Sequence, residues 1–249
     1  MKKKILIFIP VYNEEENIYY IVESIFNKFK KKTDIFFIDD NSQDNTKKNI
    51  KYLQAKYKNI FLKIRDSKLG IGSAHKNAFI WAKKRDYNYL ITMDCDGTHD
   101  PIYLNRMVKV MRKNNSHIVI SNRFLNKNSL RDWPLWRKIL TGFRHYLIKF
   151  LLQIKYDSSG ALRIYNLSKI KLEDLLLAKH NGYSFFWESI FLLDKKKYKI
   201  SEIPIYLPGR LLGKSKMKFS DILDALLYLF KIYFKIEHRT NVYIIQYQI

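Results

Sequence analysis

The chain has 249 residues, of which 47% are hydrophobic and 15% aromatic. This composition supports a sizeable core and excludes a disordered chain, and the length fits one large α/β domain or one domain with a small appendage. The single cysteine, Cys95, excludes an internal disulfide and gives no support to a cysteine-rich zinc site. No apolar stretch of signal-peptide length follows Met1 to Lys4, so we expect a protein that is not exported.

The net charge of +23 is unevenly distributed along the chain. Residues 1–100 contain 19 basic and 13 acidic residues, whereas residues 101–249 contain 27 and 10. We therefore expect the second part of the chain to face an anionic partner, such as nucleic acid, an acidic membrane surface or a phosphorylated substrate. A general richness in lysine is the alternative interpretation.

Short apolar runs alternate with helical periodicity along the first half of the chain. Asn13 is predicted to cap the first helix, with Glu14 to Glu16 in its first turn, and Gly70 to open the third. This alternation predicts an α/β fold with a mainly parallel sheet and right-handed crossovers. Strands are predicted at residues 5–9, 34–38, 60–64, 89–93 and 117–121, and a later one at 203–207.

Three predicted strands end in polar clusters, at residues 10–14, 39–44 and 94–96. The carboxyl ends of parallel strands share one edge of a sheet, where open α/β folds bind nucleotides. Extended chain places Asp94 and Asp96 on one side, where both carboxylates can face a divalent cation that is also held by a diphosphate. Solvated loop carboxylates are the alternative. No Gly-rich dinucleotide fingerprint and no P-loop occurs.

Further short motifs accompany these clusters in a fixed order along residues 4–220. The set comprises Pro10-Val11-Tyr12-Asn13-Glu14, Asp39-Asp40-Asn41-Ser42-Gln43-Asp44, Gly70-Ile71-Gly72-Ser73-Ala74, Asp94-Cys95-Asp96-Gly97-Thr98-His99, Ser121-Asn122-Arg123, Trp133 to Arg137, Asp157-Ser158-Ser159-Gly160, Gly182-Tyr183-Ser184-Phe185 with Glu188, and Arg210-Leu211-Leu212-Gly213-Lys214-Ser215-Lys216. This ordered set resembles the family-2 glycosyltransferases, and within them the dolichyl-phosphate or polyprenyl-phosphate mannose synthases and their bacterial relatives.

The resemblance implies a GT-A nucleotide-diphospho-sugar transferase fold over residues 1–218, followed by a C-terminal amphipathic helix and tail at 219–249. It implies an inverting transfer of mannose, or of glucose or an N-acetylhexosamine, from GDP-mannose or a UDP-sugar. The implied acceptor is a polyprenyl or dolichyl phosphate at the cytoplasmic face of the membrane.

The resemblance also implies roles for individual residues. The donor base and ribose would lie against Asp39 and Asp40, in a pocket shaped by Pro10, Tyr12 and Glu14. Mg²⁺ or Mn²⁺ would bind Asp94 and Asp96 and neutralise the leaving diphosphate, over which Arg210 and Lys216 would close. The acceptor phosphate would contact Arg123, Arg137 and Thr141. Asp94, Asp96, Arg123 and Arg137 are thus the predicted catalytic residues.

Three positions depart from the family pattern and concern the acceptor and the sugar. Thr98 is a poorer metal ligand than the residue often found there, Asn122 interrupts the Ser-Arg pair, and Ala161-Leu162 replaces the usual aromatic after Ser-Gly. We also expect no counterpart of the C-terminal transmembrane helices that the resemblance implies for many relatives. His99 follows the pattern, and we expect it to form a structural hydrogen bond rather than to bind metal.

Two amphipathic segments predict peripheral membrane association. Residues 131–154 interleave tryptophans and other apolar side chains with basic ones, which is typical of a helix in the membrane interface, and packing against the sheet is the alternative. Residues 219–234, capped by Ser220, are too short and too charged to cross a bilayer. This second helix could dock at a surface or mediate self-association into a homo-oligomer.

Two other functions stay open at this stage. A family-2 enzyme of surface-polysaccharide assembly would transfer to a saccharide hydroxyl and would require Asp157 or Glu188 as the base. A basic nucleic-acid-binding module is the alternative from another class. Carboxylates crowded at the sheet edge would repel a phosphodiester, so we expect no nucleic-acid partner.

Overall fold

One mixed sheet of seven strands forms the centre of the part of the chain that the structure describes. The computed structural model describes residues 4–30, 33–210, 212–213, 216 and 219–246, with side chains as far as residue 235. The strands are β1 (Ile5–Val11), β2 (Asp34–Asp39), β3 (Ile60–Ile64), β4 (Tyr89–Thr92), β5 (Ile118–Asn122), β6 (Arg163–Asn166) and β7 (Ile200–Pro204). Their order in the sheet is β3-β2-β1-β4-β6-β5-β7.

Helices follow most of the strands and cover the sheet. They are α1 (Ile18–Lys28), α2 (Thr46–Lys56), α3 (Ile71–Lys83), α4 (Ile102–Lys113), α5 (Leu135–Leu152), α6 (Leu172–Leu175), α7 (Phe185–Lys195) and α8 (Phe219–Gln246). Successive residues of β1 point to opposite faces, so Leu6 and Phe8 belong to one apolar cluster and Ile7 and Ile9 to the other. Burial on both faces explains why the strands are continuous apolar runs.

The α/β class and the mainly parallel sheet are confirmed, with one reversal. The pairings of β1, β2, β3 and β4 with one another are parallel, and β5 pairs parallel with β7. β6 runs antiparallel to both of its neighbours, β4 and β5. Its first residue, Arg163, consequently pairs with Thr92, the last residue of β4.

Several predicted boundaries are wrong. Asn13 does not cap a helix: it has a positive φ of 53°, and α1 begins only at Ile18, after Asn17. The last strand is β7, which ends at Pro204, whereas the sequence predicted 203–207. Helix α8 extends to Gln246, well beyond residue 234, and Ser220 lies inside it rather than at its cap.

Helix α8 is attached to the rest of the fold near its start. His180 Nε2 and Asp224 Oδ2 form a hydrogen bond of 2.8 Å, and the Tyr228 hydroxyl donates to the buried Glu188 carboxylate at 2.7 Å. The predicted division of the chain at residue 218 stays a prediction.

Candidate active site

The three polar clusters meet at one edge of the sheet because their strands are adjacent and parallel. Val11 at the end of β1 pairs with Asp39 at the end of β2, and Phe8 pairs with Thr92 at the end of β4. The sheet order also changes direction here, since β2 lies on one side of β1 and β4 on the other. Such a switch point creates a crevice for a ligand at the carboxyl ends of the strands.

Asp39 and Asp40 are buried and their carboxylates shape the loops around them. Asp39 accepts hydrogen bonds from the backbone N–H and the hydroxyl of Ser42. Asp40 accepts from Arg65 Nη1 and from the backbone N–H groups of Leu69 and Gly70, each at 2.9 Å. Their predicted contact with base and ribose stays a prediction, and the observed bonds fix the walls of that pocket.

Arg65 also contributes to this pocket, and no sequence motif had selected it. Its Nη1 also donates to Ser73 Oγ at 2.9 Å, while its buried Nη2 has no hydrogen-bond partner among the described residues. The only signal in the sequence is a lone arginine after β3, which carries no motif. Its free donor beside Asp40 makes Arg65 a candidate for ligand binding.

Pro10 and Tyr12 lie along the same edge, at the end of β1 and just beyond it. The Lys68 ammonium lies 3.9 Å from the centre of the Tyr12 ring, a cation–π contact between two loops of the crevice. Lys68 is exposed and was also not selected from the sequence. The aromatic ring and this cation together flank the predicted donor pocket.

Asp94 and Asp96 face the crevice and influence each other. Desolvation raises the pKa of Asp94 to about 8, and the negative charges of Asp96 and Glu14 add to this effect. Asp96 Oδ1 accepts hydrogen bonds from the backbone N–H and the hydroxyl of Thr98, at 3.1 and 2.6 Å. Thr98 therefore orients Asp96, and the other carboxylate oxygen, Oδ2, remains directed into the crevice.

The structural role predicted for His99 is confirmed. Its Nδ1 accepts a hydrogen bond from the backbone N–H of Asp94 at 3.1 Å, which requires the neutral ring. Burial lowers the pKa of His99 to about 4, in agreement with a neutral imidazole. His99 thus fixes the backbone at the first carboxylate of the pair.

Arg210 reaches into the crevice from the loop after β7. Its guanidinium forms three hydrogen bonds of 2.9 to 3.0 Å with the Glu14 carboxylate and lies 3.3 Å from Asp96 Oδ2. Glu14 is buried outside any helix, so its interpretation as a first-turn helix acid is wrong. Desolvation raises the pKa of Glu14, although the charge of Arg210 opposes the rise.

This arrangement fits a divalent cation held jointly by protein and substrate. The Arg210 guanidinium already lies beside Asp96, so this position accommodates positive charge. A cation bound by Asp94 and Asp96 would keep further coordination positions for oxygen atoms of a diphosphate. Among the described residues, no three His, Cys, Asp or Glu side chains converge on a metal site of their own. The protein side of the predicted site is therefore the pair Asp94 and Asp96.

Lys216 lies in an adjoining cleft of about 390 Å³ rather than at the acidic pair. That cleft is also lined by Asn13, Glu14, Glu15, Glu16, Asn17, Gln43, Asp44 and Gly213. The proposed contact of Lys216 with the diphosphate stays a prediction. Leu211, Lys214 and Ser215 of the same motif lie outside the described residues.

Arg123 is fixed beside the crevice by a buried ion pair. Its Nε donates to Asp157 Oδ2 at 2.8 Å, and both side chains are less than 10% exposed. Desolvation opposes ionisation of Asp157, but the charge and the two hydrogen bonds of Arg123, together with the charge of His145, hold the pKa of Asp157 below its usual range. Gly160 closes the contact, because a Cβ there would lie 3.2 Å from Arg123 Nη2.

Arg137 and Thr141 face the same region from α5. The Arg137 guanidinium stacks 3.8 Å above the ring of Trp133, and Thr141 is buried one turn further along. Desolvation lowers the pKa of Arg137, the attraction of Asp96 opposes this shift and the repulsion of Arg123 adds to it, so both charges act on the Arg137 guanidinium. The structure thus brings the predicted acceptor residues to one flank of the crevice.

The opposite side of α5 is apolar and exposed. Leu135, Trp136, Ile139, Leu140, Phe143, Tyr146 and Phe150 have exposed fractions between 56% and 79%. Helix α8 adds exposed apolar residues, including Phe219, Leu227 and Phe234. Within the described residues, neither helix is long and apolar enough to cross a membrane.

Comparison with solved structures identifies the architecture. Glucosyl-3-phosphoglycerate synthase from Mycobacterium tuberculosis, solved with Mn²⁺, UDP and glucosyl-3-phosphoglycerate, superposes with a TM-score of 0.59 over 92% of this chain and 80% of that one, at 16% identity. TarS residues 1–349 from S. aureus, solved with UDP-GlcNAc, gives 0.57 over 91% and 65%, at 15% identity. The fold is thus that of the GT-A glycosyltransferases.

Sequence comparison defines the family. The model of glycosyl transferase family 2 matches residues 6–172, and the chain belongs to this family. It is 30% identical to polyprenol monophosphomannose synthase of Mycolicibacterium smegmatis over 90% of this chain and 84% of the relative. It is 28% identical to undecaprenyl-phosphate mannosyltransferase of Micrococcus luteus over 86% and 87%. The protein is a glycosyltransferase, which decides against the nucleic-acid-binding alternative.

Proposed function

We propose that this enzyme transfers a sugar, mannose in the first instance, from a nucleotide diphosphate to a polyprenyl phosphate, with inversion at the anomeric carbon. The observation that carries the proposal is that Arg137, on the helix α5 whose outer side is apolar, interacts electrostatically with both Asp96 and Arg123. An acceptor with a phosphate head and an apolar tail matches both sides of α5. The names of the two similar mannosyltransferases support the same class of acceptor.

In this mechanism Asp94 and Asp96 would hold Mg²⁺ or Mn²⁺, which stabilises the negative charge of the leaving diphosphate. Arg123 and Arg137 bind the acceptor phosphate and hold one of its oxygens in line with the anomeric carbon. That oxygen forms the new bond to the sugar as the bond to the nucleotide diphosphate breaks. Because the phosphate is already anionic, the reaction needs no protein base.

The hydrogen bonds that engage both candidate bases, Asp157 and Glu188, favour phosphate over a saccharide hydroxyl as the acceptor. Asp157 is engaged by Arg123 and Ser159, and the two oxygens of Glu188 accept from the backbone of Lys179 and His180 and from Tyr228. Neither carboxylate is positioned to take a proton from a substrate hydroxyl. The surface-polysaccharide alternative would require one of them to leave these bonds.

The apolar sides of α5 and α8 support peripheral attachment to the cytoplasmic face of the membrane. Arg137, Lys138, Arg144 and Lys149 accompany the apolar residues of α5, a pattern of helices that lie in the interface of anionic bilayers. Attachment there would bring Arg123 and Arg137 to the depth of a lipid head group.

The test is an assay of the purified protein with Mn²⁺ or Mg²⁺ and a panel of GDP-mannose, UDP-glucose and UDP-N-acetylglucosamine. Undecaprenyl phosphate is offered beside the matching alcohol, and products are identified by mass spectrometry. We expect a glycosylated phosphate from at least one donor and none from the alcohol, with loss of activity in Asp96→Asn. Transfer to the alcohol or to a saccharide, with none to the phosphate, would overturn the proposal.

A further inference from the structure

A third arginine stands on the helix face that carries Arg137 and Thr141. Arg144 follows them at the spacing i, i+4, i+7, which places all three on one side of α5. It was not among the residues selected from the sequence for acceptor binding. The residue as a whole is exposed, whereas its guanidinium is desolvated, which together with the charges of Arg123 and Arg137 lowers its pKa to about 10.

Arg144 is linked to Arg123 by a short chain of hydrogen bonds. Arg144 Nη2 donates to Ser159 Oγ at 3.3 Å, and this hydroxyl donates in turn to Asp157 Oδ1 at 3.1 Å. The other oxygen of Asp157 accepts from Arg123 Nε. The backbone N–H of Ser159 also donates to Asp157 Oδ1, which fixes the geometry of this series of hydrogen bonds.

The cluster formed by Arg123, Arg137, Arg144 and Asp157 carries more positive than negative charge. Arg123 and Arg137 repel the Arg144 guanidinium, and Asp157 attracts it. Asp157 already pairs with Arg123, and within the described part of the chain Arg144 has no ion pair of its own. Guanidinium groups kept together around a single shared carboxylate form a site for an anion.

We propose that Arg144 is a third arginine that binds the acceptor phosphate and sets the preference for a phosphorylated acceptor. This inference rests on the proposed function and deepens it. Leu140 and Phe143, exposed beside Arg144, offer an apolar surface for the first units of a prenyl chain. The anion is therefore the head of an amphipathic acceptor rather than the donor diphosphate, which lies at Asp94 and Asp96.

The experiment compares wild type, Arg144→Gln and Arg144→Lys with Lys149→Gln, which removes the same charge from an exposed position further along α5. Farnesyl phosphate serves as a short acceptor used without membranes, so that general attraction to anionic lipid does not contribute. We expect Arg144→Gln to raise the acceptor KM by about 10- to 100-fold, the worth of a charge-assisted hydrogen bond. The donor KM and the melting temperature should stay unchanged, and Arg144→Lys should recover part of the loss.

The outcomes separate this inference from the proposed function. If wild type glycosylates farnesyl phosphate and Arg144→Gln behaves like Lys149→Gln, the role of Arg144 is refuted alone. An equal rise of donor and acceptor KM also refutes it, because Arg144 would then act on the donor site. If wild type transfers to neither farnesyl nor undecaprenyl phosphate, the proposed function fails and the inference falls with it.

Discussion

Arg210 and Glu14, 196 positions apart in the chain, form a bidentate ion pair at the centre of the crevice. The same guanidinium lies 3.3 Å from Asp96, so one side chain neutralises two carboxylates at the place where a divalent cation is proposed to bind. Binding of the cation at Asp96 requires Arg210 to withdraw from that carboxylate. A diphosphate arriving with the cation offers the displaced guanidinium new oxygen partners.

The first prediction concerns this competition. Arg210→Gln should tighten the binding of Mn²⁺ alone, because the cation no longer displaces a positive group from Asp96. The same change should weaken binding of a nucleotide diphosphate in the presence of Mn²⁺ by about tenfold, through loss of a charged hydrogen bond. Isothermal titration calorimetry measures both affinities. Arg131→Gln, at an exposed arginine, is the control, and unchanged Mn²⁺ affinity in Arg210→Gln would contradict the competition.

The second prediction concerns the repulsion among Asp94, Asp96 and Glu14. Because desolvation and these charges raise the pKa of Asp94 to about 8, folding of the metal-free protein is opposed by the ionised form of this carboxylate. Asp94→Asn should therefore raise the melting temperature at neutral pH while abolishing the further rise that Mn²⁺ and nucleotide give to wild type. Differential scanning fluorimetry with and without these ligands provides the measurement. A lower melting temperature for the metal-free variant would argue against the repulsion.

The third prediction concerns the buried pair of Arg123 and Asp157. Asp157→Asn leaves a buried guanidinium without its countercharge and should cost about 3 to 5 kcal/mol of unfolding free energy. For a chain of this size the melting temperature should fall by roughly 6 to 20 °C. Asp132→Asn removes the same charge from an exposed pair with Arg131 and should have little effect. Equal melting temperatures for the two variants would contradict the structural importance of the buried pair.

The fourth prediction concerns attachment to membranes through α5. The double change Ile139→Asp and Phe150→Asp places charge on its exposed apolar side and should reduce co-sedimentation with anionic vesicles. Tyr52→Asp, at an aromatic residue of α2 that is 61% exposed, serves as the control. Activity on farnesyl phosphate should persist in the double variant, because this acceptor needs no bilayer. Unreduced co-sedimentation would mean that another surface binds the lipid.

The strands and the acidic edge were predictable because their signals are local. The limits of β3 match the sequence prediction, since a five-residue apolar run leaves little choice of boundary. Asn13 was misassigned because its side chain accepts a hydrogen bond from the backbone N–H of Gln43 on the next loop, a contact no local pattern reveals. That tertiary bond stabilises a left-handed residue where a helix cap was expected.

The remaining features depend on partners that are distant in the chain. Arg65 is positioned by its hydrogen bond to Asp40, which lies 25 residues earlier, and Arg144 donates to Ser159, which lies outside α5. The long α8 was cut short at residue 234 because its amphipathic pattern weakens there, although the backbone continues as helix. Hydrophobic periodicity identifies helices and strands. The contacts of these side chains form only when the folded sheet brings distant segments together.

Because β6 is reversed, two separate segments of the chain form the two sides of the crevice. Because β6 runs against β4, the turn from Asp157 to Gly160 enters the sheet at the same edge at which β4 leaves it. The segment of the chain before β4 forms one side of the crevice, and the connection from Arg123 to Arg163 forms the other side. Under the proposed function, changes confined to that connection would alter the acceptor site and leave the predicted nucleotide side of the crevice unchanged.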